Sequence, residues 1–454
     1  MWPDAVTRPV VVTPEAEVPL LTRTTADARQ ADVIVVGAGP AGSSAAYHLA
    51  EAGVDVLVLE KSAFPRDKVC GDGLTPRAVR QLVAMGLDLD APGWQRNVGL
   101  RIVGAGHRLE LPWPELAAFP PYGMVRTRLE LDEILARHAQ KAGARLTERT
   151  SVTGPVLDER TGRVVGVTAK PVDDRGRRAG DDETYTAPVV IACDGVSARM
   201  ATALGLERRE NRPMAVAVRA YHRTPRHDDP WMESWLELWA PKAQGPGRQL
   251  LPGYGWIFGV GDGTANIGLG ILNTSKAFQH VDYKDILRRW LSQTPPEWGL
   301  TEESLVGRVG SAALPMGFNR KPHYTRGLLL CGDSGGMVNP FNGEGIDYAL
   351  ESGHLAAETV VQALARPEGP AREHVLNGYR GALEAAYGGY FTLGRVFAKM
   401  IGNPVFMKQA TRYGLPHTSL MRFVLKLMAN LTDPHDGDVS DRVINALSRV
   451  APAA

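Results

Sequence analysis

Residues 32–62 read DVIVVGAGPAGSSAAYHLAEAGVDVLVLEKS. Four apolar β-formers, a glycine turn, an Ala-rich stretch and a second apolar run ending in an acid make one βαβ unit. Gly37, Gly39 and Gly42 have G-x-G-x-x-G spacing, placed between strand and helix as the chemistry requires. Gly37 permits the tight turn, Gly39 lets the backbone approach a pyrophosphate, and Gly42 brings the helix close to the strand. Pro40 and Ala41 complete that turn. Glu60, 23 positions after Gly37 and followed by Lys61, stands where an acidic side chain accepts hydrogen bonds from an adenosine ribose. The fingerprint predicts a dinucleotide and does not separate NAD from FAD.

Around this unit the chain changes character several times. Residues 1–30 carry Pro, Thr and charges without period and read as a disordered extension. TRLELDEILARHAQKAGARL (127–146) is helical, and residues 210–275 alternate as an antiparallel sheet does. After about 375 the pattern is mainly helical. The reading predicts an α/β chain with a Rossmann-type dinucleotide domain (31–95, 120–208 and 308–375) interleaved with a substrate-binding sheet domain (96–119 and 209–307). A C-terminal helical region (376–454) follows.

Bulk properties narrow the partners. With 51 basic against 50 acidic residues, no global field favours nucleic acid. Cys70, Cys193 and Cys331 lie far apart without metal-ligand spacing, so neither a metal centre nor a disulfide framework is expected, and a cytoplasmic location follows. No run approaches the length of a membrane span, and the start lacks the basic and apolar regions of a signal peptide. Contact with lipid is therefore expected from the surface.

Two further strand-turn elements carry acids toward a ligand: CDGVSARMATALG (193–205), with Asp194 and Gly195, and LLLCGDSGG (328–336), with Asp333. With Arg128, four positions before Asp132, they resemble the motifs of flavoproteins of the para-hydroxybenzoate hydroxylase fold class. That resemblance implies FAD, with Asp333 at its ribityl chain and Arg128 near its phosphates. It also implies that the helix opening at NGEGIDYAL points its N-terminus at the flavin ring, with Gly343, Gly345 and Ile346 against it. A helix end is worth about 1 kcal/mol, which for a two-electron couple is a potential shift of tens of millivolts at most.

FPRDKVCGDGLTPRA (64–78), LPGYGWIFGVGDGTANIGLG (251–270) and NPFNGEGIDYALESG (339–353) resemble the signatures of the geranylgeranyl reductase family, and within it actinobacterial menaquinone reductases. The likeness runs from about 32 to 445. It implies reduction of one isoprenoid double bond, hydride coming from the flavin and a proton from elsewhere. Cys70 and Glu344 are the candidate catalytic residues, each with a plain alternative: a small apolar filler for Cys70 and a dipole-complementing acid for Glu344. Tyr254, Trp256 and Phe258 alternate on one strand face and suit a prenyl chain, or equally an aromatic core. Relatives often continue this motif with Pro where this chain has Gly259. Flavin-dependent monooxygenases and halogenases share the scaffold and form the rival reading, as do reductases of geranylgeranyl diphosphate or ether lipids. The electron donor, NAD(P)H or a protein, stays open, since no second fingerprint follows a strand. A lipophilic substrate implies peripheral membrane contact, for which Arg422, Lys426 and FVLKLM suit an interfacial helix, or a helix packed on the protein's own core.

Overall fold

A computed structural model describes residues 28–242, 246–274, 278, 282–434 and 437–452. The extension expected over 1–30 therefore lies outside the described residues except for its last three. Parallel strands Leu328–Leu330, Val189–Ala192, Val33–Val36, Val56–Leu59 and Arg145–Thr147 form a sheet in that order, with Tyr324–Thr325 antiparallel at its edge. Its four central strands are fully buried, as a parallel sheet covered on both faces requires. Alternation divides them cleanly. Val33, Val35, Val56, Val58 and Ile191 face the helices Pro40–Glu51 and Ile346–Leu364. Ile34, Val36, Leu57, Leu59 and Val190 face a three-stranded antiparallel sheet, Thr150–Leu157, Val164–Pro171 and Glu183–Thr186. The two helices touch at Gly353, where a Cβ would stand 2.3 Å from the Ala41 carbonyl oxygen.

The second large sheet has seven strands in the order Leu305–Pro315, Met214–Arg223, Thr264–Leu272, Gly253–Gly259, Trp231–Trp235, Gly99–Gly104 and His107–Pro112. It departs from the expected antiparallel pattern at one place, where Trp231–Trp235 runs parallel to Gly99–Gly104. It also continues to Pro315, past the expected bound at 307, because LVGRVGSAALP is glycine-interrupted and half-exposed and carries no apolar alternation. One face packs on the helix Tyr283–Leu291 through Ile257, Ile267, Leu269 and Trp290. The opposite face carries Trp256, Phe258 and Met232 toward the C-terminal helices.

Those helices are Pro370–Leu383, Gly389–Ile401, Pro404–Gly414, Thr418–Met428 and Val439–Val450. Thr418–Met428 inserts Met421 and Leu425 beneath the second sheet. Lys426 does not join an outward basic face: it is buried, and its ammonium bonds Asp441 at 2.7 Å and Asp438 at 3.0 Å. Among the described residues no helix is long and apolar enough to cross a membrane.

Candidate active site

The first strand ends at Gly37, whose φ of +96° and position 2.6 Å (from an added Cβ) from the Cys193 carbonyl oxygen exclude a side chain. A Cβ on Gly42 would fall 1.8 Å from the Gly37 carbonyl oxygen, so helix and turn meet at van der Waals distance only with glycine there. Gly39 differs: the nearest atoms to a Cβ there are 3.8 Å away, on Arg66. Gly39 thus leaves room for a ligand rather than for packing. It also begins the helix Pro40–Glu51, which has no side-chain cap, leaving backbone N–H groups free at its N-terminus.

Glu60 closes the second strand and is 3% exposed. Its carboxylate accepts the Ala38 N–H at 2.9 Å and the Ser62 N–H at 3.1 Å, with Arg66 Nε at 3.3 Å. Lys61 follows it on the cavity wall. Across the turn, the buried Asp132 takes Arg128 through Nε and Nη2 (2.7 Å to Nη2) and Arg66 Nη1 at 2.7 Å. Burial pushes the Asp132 carboxyl up, but Arg128, then Arg66 and Lys68, outweigh it and hold it below the usual carboxylate range. Lys68 lies 3.5 Å from Asp333 and beside Gly195, tying the second and third acid-bearing turns to the first. Asp194 accepts the Met200 N–H through Oδ2, while its buried Oδ1 has no protein partner. An open glycine turn, an uncapped helix, three cations for a diphosphate, and Glu60, Asp194 and Asp333 for hydroxyls fit a dinucleotide.

These groups line one end of a cavity of about 920 Å³. Gly343, Glu344, Gly345 and Ile346 line its middle, at the N-terminus of Ile346–Leu364, again without a side-chain cap. Opposite them Tyr254, Trp256 and Phe258 form a strip, with ring centroids 6.1 and 6.5 Å apart. The Tyr254 hydroxyl donates to the Asn342 carbonyl at 2.6 Å, linking the strip to the glycine loop. Cys70 is a half-buried free thiol on the same wall, close to the Arg128 guanidinium. At Gly71 a Cβ would lie 3.5 Å from Trp256, so this loop rests on the aromatic strip. Glu344 is enclosed by protein, its open surface faces the cavity, and burial pushes its carboxyl up. Gly259, where the family resemblance leads to the expectation of Pro, has a physical reason: a Cβ would meet the His227 carbonyl oxygen at 2.4 Å. The far end is apolar, walled by Phe406, Met407, Met421 and Val424, with exposed Tyr413 and Leu420 at its rim.

Sequence reasoning missed Asp72. It is fully buried, sits at φ +62°, and accepts the Tyr221 hydroxyl and Asn266 Nδ2 (2.7 Å). Asn266 also donates to the Cys70 carbonyl at 2.8 Å and accepts Trp256 Nε1 at 2.9 Å. Burial raises the Asp72 carboxyl to about 6, against the pull of Tyr221, Asn266 and Arg219. One network therefore fixes the thiol loop to the aromatic strip. An acid between two glycines was the available signal, but only tertiary contacts reveal its burial.

Comparison with known proteins identifies the family and the fold. The family described as FAD binding domain matches residues 30–382. A menaquinone reductase of Mycobacterium tuberculosis (strain H37Rv) is 38% identical over 414 residues, 91% of this chain and 94% of its own. A digeranylgeranylglycerophospholipid reductase of Methanocella arvoryzae is 31% identical over 73% of this chain and 78% of its own. The solved structure of a geranylgeranyl bacteriochlorophyll reductase-like protein from Thermoplasma acidophilum superposes with TM-score 0.72 at 20% identity, covering 92% of this chain and 99% of that one, a likeness of fold.

Proposed function

This chain belongs to the geranylgeranyl reductase family of FAD-dependent oxidoreductases, and we propose that it saturates a carbon–carbon double bond in an isoprenoid side chain, foremost that of menaquinone. The observation that carries this reading is the single cavity in which the dinucleotide motifs lead past an aromatic strip to an apolar, surface-exposed rim. Phe406, Met407, Met421 and Val424 offer a polar substrate no hydrogen bond, whereas a prenyl chain gains roughly 25 cal/mol for each Å² it removes from water.

FAD, when bound, supplies the hydride. In this reading Gly37, Gly39, Pro40, Ala41, Gly42, Lys61 and Arg128 hold its diphosphate end, with Glu60 at the ribose. Asp194, Gly195 and Asp333 hold the ribityl side, and Gly343, Gly345 and Ile346 meet the ring. An isolated trisubstituted alkene is a poor hydride acceptor, so orientation is the main lever, worth roughly 7 to 11 kcal/mol for well-placed reactants. Tyr254, Trp256 and Phe258 supply it by confining the chain, and the Tyr221–Asp72–Asn266 network keeps Trp256 in one orientation. The second alkene carbon needs a proton, for which Cys70 and Glu344 both face the cavity.

The rim explains how so apolar a substrate arrives. Exposed Val405, Tyr413 and Leu420 share the helices Pro404–Gly414 and Thr418–Met428 with exposed Lys408, Arg412 and Arg422. Apolar tips among cations suit the surface of an anionic bilayer, where the protein would lie peripherally. Sedimentation with anionic vesicles tests this arm: wild type co-sediments, and a Val405→Ser/Leu420→Ser variant that still binds FAD remains in the supernatant. Equal sedimentation of both would refute it.

A further inference from the structure

Behind the cavity wall, the first turns of Ile346–Leu364 bring three carboxylates against two guanidinium groups. Glu351 accepts Arg77 Nη2 at 2.7 Å, Arg80 Nη2 at 3.1 Å and Gln81 Nε2 at 3.2 Å. Asp347, one turn earlier, is wholly buried, and neither of its oxygens has a hydrogen-bond partner. Its nearest cation is Arg77, whose Nε lies 3.9 Å away. Glu344, three residues before Asp347, accepts Asn342 Nδ2 at 3.1 Å through one oxygen and leaves the other unpartnered. Also facing the cluster are the Thr75 hydroxyl, beside Glu344, and three phenols: Tyr348, whose ring lies 5.2 Å from the Arg77 guanidinium, Tyr387 from the turn Glu384–Gly388, and Tyr390 from the helix that follows it.

Charge decides the protonation of this cluster. Three acids share two cations, both spent mainly on Glu351, and Asp347 is left with two weak contacts, Arg77 Nε at 3.9 Å and the backbone N–H of Tyr348, neither of which makes a full hydrogen bond. An ionised, unpartnered, buried carboxylate is too costly to persist, and such a group keeps its proton instead. Burial first, and the neighbouring Glu344 next, push Asp347 well above the usual carboxylate range, against Arg77. The cluster has an inner end at Glu344, on the cavity, and an outer end at Arg80, whose side chain is 38% exposed.

We propose that Asp347 stores a proton and passes it through Glu344 to the cavity, with Glu351, paired to the part-exposed Arg80, forming the solvent-side end that reloads it. This rests on the alkene-reduction reading. Hydride from reduced FAD reaches one alkene carbon, and the π electron pair forms the new C–H bond at the other carbon with the proton leaving the Glu344 carboxyl. The resulting Glu344 carboxylate takes the Asp347 proton, and Asp347 regains one from water by way of Glu351. With bound FAD in its anionic two-electron-reduced form (FADH−), the sum would be FADH−, one proton and alkene giving oxidised FAD and a saturated chain. Asp347 acts through Glu344 and touches no substrate.

The test is the reduced-minus-oxidised infrared difference spectrum of the full FAD-loaded chain, in H2O and D2O. The expected result is a protonated-carboxyl C=O band that shifts in D2O, disappears in Asp347→Asn and survives in Glu344→Gln. Asparagine matches the neutral acid in shape and charge, so Asp347→Asn keeps the fold and its flavin. Substrate-driven flavin reoxidation should slow roughly 100-fold in Asp347→Asn and in Glu344→Gln, the scale of a lost general acid. Absence of the band in wild type, its persistence in Asp347→Asn, or unchanged reoxidation in both variants would overturn the proposal. If wild type saturates no alkene, the functional reading fails separately, while the infrared band still judges the store.

Discussion

Gly39 and Gly42, three residues apart in one turn, make a sharp prediction because a methyl would meet different surroundings at each. Gly42→Ala places a methyl 1.8 Å from the Gly37 carbonyl oxygen, a backbone atom that cannot turn aside. Overpacking of this kind costs about 1 to 3 kcal/mol or more, and here it strains the fold with or without cofactor. Gly39→Ala places its methyl in space whose nearest neighbours are 3.8 and 3.9 Å away, at an ordinary φ of −80°. The apoprotein should therefore tolerate Gly39→Ala, while the methyl occupies ground the pyrophosphate needs. The same 1 to 3 kcal/mol, charged now to binding alone, weakens FAD by about 5- to 150-fold. Calorimetric Kd for FAD, with thermal unfolding of both apoproteins, separates the cases. Gly42→Ala should lower apo Tm and occupancy together, and Gly39→Ala occupancy alone. Wild-type FAD affinity in Gly39→Ala would refute the placement of the diphosphate at this turn.

Three other outcomes follow from particular contacts. Asp72 has a folded pKa raised to about 6 from an ordinary 3.8, so its carboxyl favours the protonated, folded state; that contribution is present below pH 4 and lost as pH rises through about 6. The Tm difference between wild type and Asp72→Asn should therefore move against wild type between pH 5 and 8 by the equivalent of about 1.4 kcal/mol, and a flat difference would contradict the burial argument. Arg77→Met leaves the buried Glu351 without its main partner and should cost about 3 to 5 kcal/mol, read as a fall in Tm. Gly259→Pro should destabilise this chain by about 1 to 3 kcal/mol because a Cβ there would already meet the His227 carbonyl oxygen at 2.4 Å.

Much of the architecture was legible because its signals are local. Apolar strands, glycine spacing and an acid after each strand end are short-range patterns, and the parallel sheet divides its two faces by the alternation visible in VIVV and VLVL. Alternation likewise placed Tyr254, Trp256 and Phe258 on a common face. Sequence did not show which face of a helix meets a partner: Lys426 reads as a surface cation until Asp441 is brought to it. Nor did it show buried acids, since Asp72 is enclosed by residues 149 and 194 positions away, and Glu351 by one 274 positions away. The strand Leu305–Pro315 was hidden by its glycines and exposed positions, which erase the period that betrays a strand.

The most direct test of alkene reduction is anaerobic. The FAD-loaded protein is chemically reduced, menaquinone or geranylgeranyl diphosphate is added in detergent, and flavin absorbance is followed beside mass spectrometry of the lipid. Reoxidation without air, matched by addition of one hydrogen molecule's mass to the prenyl chain of menaquinone, is the predicted result. Reoxidation only on admitting air, with oxygen or halogen in the product and the double bonds intact, would contradict it.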